Sequence, residues 1–156
     1  MSKPIEAASD LQPFVYRLTP VWGDLDPARI VYTGRYTDYA LRAIDGWMLD
    51  RAGADFYRMN FEWGIGTPFV HTELDLKSSL TPRDTLLVTV RIAKVGTTSL
   101  AFRVDGAASR GSSVRPCFEG RFVCVCVEAA AQSENLRAIP LDPRIRAAAE
   151  ADMAML

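Results

Sequence analysis

The stretch from Arg35 to Met48, RYTDYALRAIDGWM, decides how the rest of the chain is read. Tyr36, Tyr39, Ala40, Ala43, Ile44, Trp47 and Met48 recur at steps of three and four, which puts them on one face of an α-helix, while Arg35, Asp38, Arg42 and Asp45 take the other. Leu41 is the apolar exception on the polar side. A stripe this bulky must lie on something, and the segments around it are strand-like.

Upstream, FVYRLTPVW from Phe14 to Trp22 is rich in β-branched and aromatic residues and reads as a strand, with Pro20 pointing to an edge or a bulge. Downstream, TPFVHTELDLKSSL from Thr67 alternates, with Val70, Thr72, Leu74 and Leu76 on one face and His71, Glu73, Asp75 and Lys77 on the other. TPRD from Thr81 reads as a turn. DTLLVTVRIAKV turns Leu86, Val88, Val90 and Ile92 inward, GTT makes a hairpin connection, and SLAFRVDG returns with Leu100, Phe102 and Val104 inward. CFEGRFVCVCVE is apolar on both faces, as a central strand would be. After the polar QSEN, Pro140 and Pro143 punctuate the chain, and RIRAAAEADMAML reads as a terminal helix. The order predicts an α+β fold in which one long helix packs on a single curved antiparallel sheet. Residues 1–12 are expected to be a flexible tail, 13–143 one domain, and 144–156 a helical tail.

A chain of 156 residues suits one domain with a real core. Its 18 Lys+Arg against 19 Asp+Glu give no electrostatic case for a nucleic-acid partner. MSKPIEAASD carries charge and proline where a signal peptide needs an apolar core, and no later apolar run is long enough to span a bilayer. A soluble, cytoplasmic protein without a membrane partner is expected. Cys117, Cys124 and Cys126 lack metal-site spacing and read as small buried thiols rather than redox or metal groups.

The candidate chemistry lies in WGDLDPARIVYTGRY, Trp22 to Tyr36, which places Asp24 and Asp26 just ahead of the helix. Amides at a helix start point unpaired N–H groups and partial positive charge outward, so Tyr32, Thr33 and Gly34 would form a site for a developing oxyanion. Asp26 beside it would attack a polarised acyl carbonyl to form an anhydride, or deprotonate a water that attacks it. The competing reading of such an aspartate is a cap or a loop hydrogen-bonder. A D-x-D metal site would need a histidine or further carboxylate close by, and none stands there. His71, the only histidine, is read as a surface or subunit-contact residue or as an auxiliary site residue. No Ser-His-Asp or Cys-His arrangement and no phosphate-cradling glycine loop is found.

Three separated segments, GDLDPARIVYTGRYTDYALRA from Gly23, WGIGTPFV from Trp63 and LRAIPLDP from Leu136, resemble in that order the hotdog-fold acyl-CoA thioesterases of the 4-hydroxybenzoyl-CoA thioesterase type. The resemblance runs from about Val15 to Pro143. It implies a hotdog fold, a long helix wrapped by a five-stranded antiparallel sheet. It also implies an acyl-CoA substrate with an aromatic or short- to medium-chain acyl group, hydrolysed with no cofactor and no metal. Subunits of such proteins pair edge to edge with active sites at the dimer interface, so a homo-oligomer is expected, a dimer or a dimer of dimers. Carried over residue by residue, the resemblance makes Asp26, ahead of Pro27, the nucleophile or general base and Asp24 a loop organiser. The oxyanion donor is the Thr33 backbone N–H, with Tyr32 and Gly34 beside it, and Ile30 joins Pro27 among the substrate contacts. Gly66, Thr67 and Pro68 would help line the acyl pocket, with His71 in a supporting place. Arg29, where many members carry glycine, and Lys94 are candidates for the phosphates of coenzyme A. Leu41 stands where hydroxybenzoyl-specific members present a polar group to the phenol. A non-catalytic hotdog module that binds an acyl thioester or assembles with itself is the alternative. A hydratase would need a histidine near the helix, which is absent.

Overall fold

The computed structural model describes residues 13–129 and 136–155. The tail expected over 1–12 and the polar QSEN segment lie outside the described residues. The described chain begins with strand β1 (Phe14–Leu18) and a loop, followed by helix α1 (Arg35–Trp47), which runs on through a wider π-type turn, Met48–Ala52. A short helix α2 (Phe56–Arg58) is likewise extended by Met59–Trp63. Strands β2 (Ile65–Gly66), β3 (Phe69–Leu76), β4 (Thr85–Val95), β5 (Ser99–Arg110), β6 (Ser113–Val125) and β7 (Val127–Glu128) follow, then helix α3 (Pro143–Ala154). One five-stranded antiparallel sheet has the order β1-β4-β5-β6-β3, and β2 pairs with β7 in a small ribbon.

The α1 stripe is buried as its spacing predicts, from Tyr36 through Trp47 and Met48. It lies on the inward row of Leu86, Val88, Val90 and Ile92 from β4, and of Leu100, Phe102 and Val104 from β5, all in one core. The Trp47 ring meets Phe102 edge-on with centroids 5.4 Å apart. Full burial of a side chain of this size contributes about 1.5–3 kcal/mol, far more than helix propensity does, so α1 exists because of the sheet beneath it. Gly46 lets β1 approach: a Cβ there would stand 2.9 Å from the Tyr16 ring and 3.1 Å from the Phe14 ring.

Two features depart from simple patterning. On β3 the register slips between Phe69 and His71, so Val70 leaves the face it was expected to share, while Thr72, Leu74 and Leu76 keep it, opposite Phe122, Gly120 and Phe118 of β6. Phe69 and Leu74 are the residues that reach the core, while Val70 and Leu76 are 63% and 44% exposed. The bulge resets the facing of Val70, and β3 is an outer strand with a neighbour on one side only. Between Gly53 and Gly64, where no clean period is written, the chain makes the α2 turns that cover one side of α1; both glycines hold positive φ, 97° and 68°, and end the preceding turns.

Helix α3 is packed into the body rather than free of it. Asp142 caps it by accepting from the Arg144 amide at 2.9 Å, Pro143 occupies its first turn, and Ile145 and Ala149 are buried. Asp152 accepts from the Trp47 indole N–H and from Arg51 Nη1, the latter at 3.0 Å. Arg144 lies over the Trp63 ring at 3.6 Å. No helix among the described residues is long and apolar enough to cross a membrane.

Candidate active site

The loop between β1 and α1 is closed on itself. Leu25 and Val31 form an antiparallel bridge, and within it the Asp26 amide donates to the Ile30 carbonyl at 3.0 Å and the Arg29 amide to the Asp26 carbonyl at 2.9 Å. Asp26 Oδ1 accepts from the Ala28 amide at 2.7 Å, an Asx-type turn that orients the half-buried carboxylate. Pro27 and Arg29 are exposed on the turn, and Arg29 has φ 65°, a left-handed conformation that glycine adopts without strain. Asp24 organises the rest. Its Oδ2 accepts from the Val21 amide at 3.0 Å and from the Tyr39 hydroxyl at 2.8 Å, and Arg35 Nε stands 3.7 Å from Oδ1.

At the start of α1 the three amides expected to face an oxyanion are not equivalent. The Tyr32 N–H donates to the Asp24 carbonyl at 2.9 Å, so it is already committed and the expectation that it serves the site is corrected. The Thr33 and Gly34 amides have no acceptor among the described residues, as the geometry of a helix start dictates.

A cavity of about 450 Å³ opens between α1, α2 and the β2–β3 segment. Gly66 and Thr67 line it, with the apolar Leu41, Phe56, Met59 and Phe69 and the polar Arg42, Asp45 and Asn60. Pro68 adjoins it, its carbonyl accepting from the Val125 amide at 3.1 Å. Burial pushes the Asp45 carboxyl above the ordinary range, opposed by its hydrogen bond from the Phe56 amide at 2.8 Å and reinforced by nearby Asp55. Gly66 and Thr67 thus line this cavity, and none of the residues from Asp26 to Gly34 is among its lining. From Gly34 to Leu41 the helix advances by about 10 Å.

His71 lies outside both groups, exposed on β3 with Nε2 3.2 Å from Glu73 Oε2. Lys94 is exposed where β4 slips register against β5. Sequence reasoning missed Asp45, Phe56, Met59 and Phe69. Asp45 reads as solvent-facing on the helical wheel, and only knowledge that α2 covers that face would bring it indoors. All three cysteines are buried; burial pushes the Cys117 thiol up to about 11 and the Cys124 thiol up to about 12. Among the described residues no three His, Cys, Asp or Glu side chains converge to hold a metal.

A long helix wrapped by five antiparallel strands, with an aspartate-bearing loop at its start, defines a hotdog-fold protein. The chain belongs to the Thioesterase-like superfamily, whose family model matches residues 20–149. A solved thioesterase-superfamily structure from Jannaschia sp. CCS1 is 34% identical over 97% of each chain, with a TM-score of 0.79. The 4-hydroxybenzoyl-CoA thioesterase of Pseudomonas sp. strain CBS-3 is 21% identical over 88% of this chain and 97% of its own, with a TM-score of 0.76. An aspartate-to-asparagine mutant of a 4-hydroxybenzoyl-CoA thioesterase, complexed with 4-hydroxybenzoyl-CoA, is 20% identical over 89% and 97%, with a TM-score of 0.76. No curated protein matches the chain.

Proposed function

We propose that the protein is an acyl-CoA thioesterase in which Asp26 is the nucleophile or general base. The observation that carries this reading is the loop geometry: a carboxylate oriented by the Ala28 amide stands a few residues ahead of two amides, Thr33 and Gly34, that have no acceptor among the described residues. Those amides would hold the thioester oxygen as it gains charge, while Asp26 attacks the carbonyl carbon or takes a proton from the attacking water. If Asp26 attacks, the C–S bond breaks to leave an acyl–Asp26 anhydride, which a water then hydrolyses to the acid, one of its protons going to the coenzyme A thiolate. If Asp26 acts as base, the hydroxide adds to the carbonyl carbon, the C–S bond breaks, and the proton held by Asp26 passes to the departing sulfur. Family membership supports thioester hydrolysis in general, and the relative solved with its acyl-CoA bound carries an aspartate-to-asparagine change.

The acyl group, aromatic or short- to medium-chain, occupies the cavity walled by Leu41, Phe56, Met59 and Phe69 beside Gly66, Thr67 and Pro68. The lining of this cavity includes no residue of the Asp26 loop, and a homodimer brings the cavity of one subunit against the loop of its partner; a dimer of dimers would repeat the same site. Pro27 and Ile30 flank the thioester, Arg29 and Lys94 meet the phosphates, and His71 has an auxiliary place at the subunit boundary. The role requires neither metal nor cofactor.

The test is a panel of aromatic and short-, medium- and long-chain acyl-CoAs, with released thiol followed by a colour reagent, for the parent and Asp26→Asn. The substitution keeps shape and removes charge, so turnover should fall by at least about a hundredfold while the fold and the oligomer persist. Turnover within a few-fold of the parent overturns the mechanism, and binding without hydrolysis by the parent favours the non-catalytic module.

A further inference from the structure

We propose that Arg115, seated on the buried Asp84, positions the Asp26 loop through the backbone of Leu80, with Arg110 serving only the stability of the Asp84 site; the catalytic consequence rests on the function proposed above. The loop that carries Asp26 holds itself together by internal hydrogen bonds and is tied to α1 through Asp24. Among the described residues, its backbone leaves that unit at one point, where the Val31 amide donates to the Leu80 carbonyl at 2.9 Å. The Leu80 amide in turn donates to the Tyr36 hydroxyl at 3.2 Å, on the first turn of α1. Leu80, fully buried, is therefore bonded to the strand that closes the Asp26 loop and to the helix start whose amides face the proposed oxyanion.

Leu80 has no regular strand partner to hold it. What fixes it is a clamp on each flank. Upstream, the Ser79 carbonyl accepts from Arg115 Nη2 at 2.7 Å and the Ser78 hydroxyl donates to the Pro116 carbonyl at 2.7 Å. Downstream, the buried Asp84 accepts from the Thr81 amide at 2.9 Å, from Arg110 Nε and Nη2 at 3.0 Å each, and from Arg115 Nη1 and Nη2 at 3.1 and 3.2 Å. Arg115 alone of the two arginines spans both flanks; Arg110 holds only the downstream one, adding Thr81 Oγ1 at 3.1 Å. Charge-assisted bonds on a buried carboxylate resist rotation, and a bidentate guanidinium fixes direction as well as distance. A shift of the Leu80 backbone by a fraction of an ångström would be passed to Val31 and to the amides after it, where misplacement is costly for a reacting group.

The experiment compares Arg115→Gln with Arg110→Gln, reading kcat, KM, melting temperature and amide hydrogen exchange at Val31 and Leu80. Arg115→Gln should lower kcat by at least about tenfold with KM within about twofold, and speed exchange of the Val31 amide by a similar factor. Arg110→Gln should lower the melting temperature while kcat and Val31 exchange stay within about twofold of the parent. Should Arg115→Gln not fold, Arg115→Lys is read in the same way, since one ammonium replaces the two nitrogens, Nη1 and Nη2, by which Arg115 grips Asp84. Parental kcat and Val31 exchange in the Arg115 variant, or equal losses in both variants, overturns the proposal. If the parent hydrolyses no acyl-CoA the function fails, and Val31 exchange still decides the positioning.

Discussion

The Tyr39 hydroxyl donates to Asp24 Oδ2 at 2.8 Å, so the second turn of α1 and the loop that carries Asp26 share a hydrogen bond. Burial, and then the Asp24 carboxylate itself, push the Tyr39 phenol well above its ordinary range, so it remains a donor across the working pH range. Removing that donor with Tyr39→Phe should cost about 1–3 kcal/mol of stability, the usual consequence of leaving a partly buried charged acceptor short of a partner. Asp24→Asn, which also weakens the Val21 and Arg35 contacts, should lose stability as much as rate. Urea unfolding beside turnover checks both, and unchanged midpoints would remove Asp24 as the organiser.

Arg29 sits at φ 65°, where a side chain costs roughly 1–2 kcal/mol. Arg29→Gly relieves that strain but loosens the unfolded chain, so stability should rise or hold within about 1 kcal/mol. If the guanidinium meets a phosphate, KM for acyl-CoA should rise while kcat holds. A fall in stability with no change in KM would make Arg29 a structural residue.

The Asp84 carboxyl would be raised by its burial, but hydrogen bonds from Arg115 and Arg110 outweigh that and hold it well below the usual carboxylate range. Its folded-state value is the lower one, so its contribution is complete above the unfolded value of about 3.9 and is lost as pH falls below that toward the folded value. Acid unfolding should steepen below about pH 4, and Asp84→Asn should flatten that limb while losing about 3 kcal/mol or more at neutral pH. An Asp84→Asn protein with the parental acid limb would sink the assignment.

Thiol-blocking reagents at pH 8 should leave hydrolysis intact, because the Cys117 and Cys124 thiols, raised by burial to about 11 and about 12, stay protonated and enclosed. Rapid stoichiometric inactivation would point instead to a cysteine mechanism.

Gly120 pairs with Leu74 across the β3–β6 ladder, and a Cβ there would overlap the Glu73 carbonyl oxygen and stand 2.6 Å from Leu74 Cδ2. Gly120→Ala should therefore push β3 off the sheet and cost about 3 kcal/mol or more. β3 is one of the two outer strands, with Val70 and Leu76 exposed, and edge-to-edge pairing of the proposed homodimer is expected to run along it. Light scattering at micromolar concentration should give at least a dimer for the parent and a smaller species for Gly120→Ala; a monomeric parent would refute the pairing.

Much of the fold was legible because each clear pattern had one period and one partner. The three-and-four spacing of Tyr36 to Met48 maps onto the buried face of α1, and the alternation in β4 and β5 onto the inner face of the sheet. On β3 only Val70 departs from the alternation, because a bulge changes facing without changing composition. α2 was missed although Phe56, Met59 and Trp63 fall at steps of three and four, because that stripe is short and the exposed Tyr57 and Phe61 interleave it with further apolar side chains. At the candidate site, the turn that carries Asp26 was legible from its own residues, while the Tyr32 amide bonds a carbonyl eight residues earlier and Asp84 looked like an ordinary turn residue. Its arginines lie 26 and 31 positions downstream, beyond the reach of any local motif.

The Asp152 bonds to Trp47 and Arg51 join residues 105 and 101 positions apart, and that separation has a kinetic meaning. Contacts that close so long a loop carry a large entropic cost before they return any stabilisation, so they are expected to form after the folding barrier has been crossed. Asp152→Ala should then leave the refolding rate nearly as it is and accelerate unfolding, shortening the lifetime of the native protein against heat and proteases. The final helix acts as a latch fastened last, whose contribution lies in how slowly the molecule comes apart.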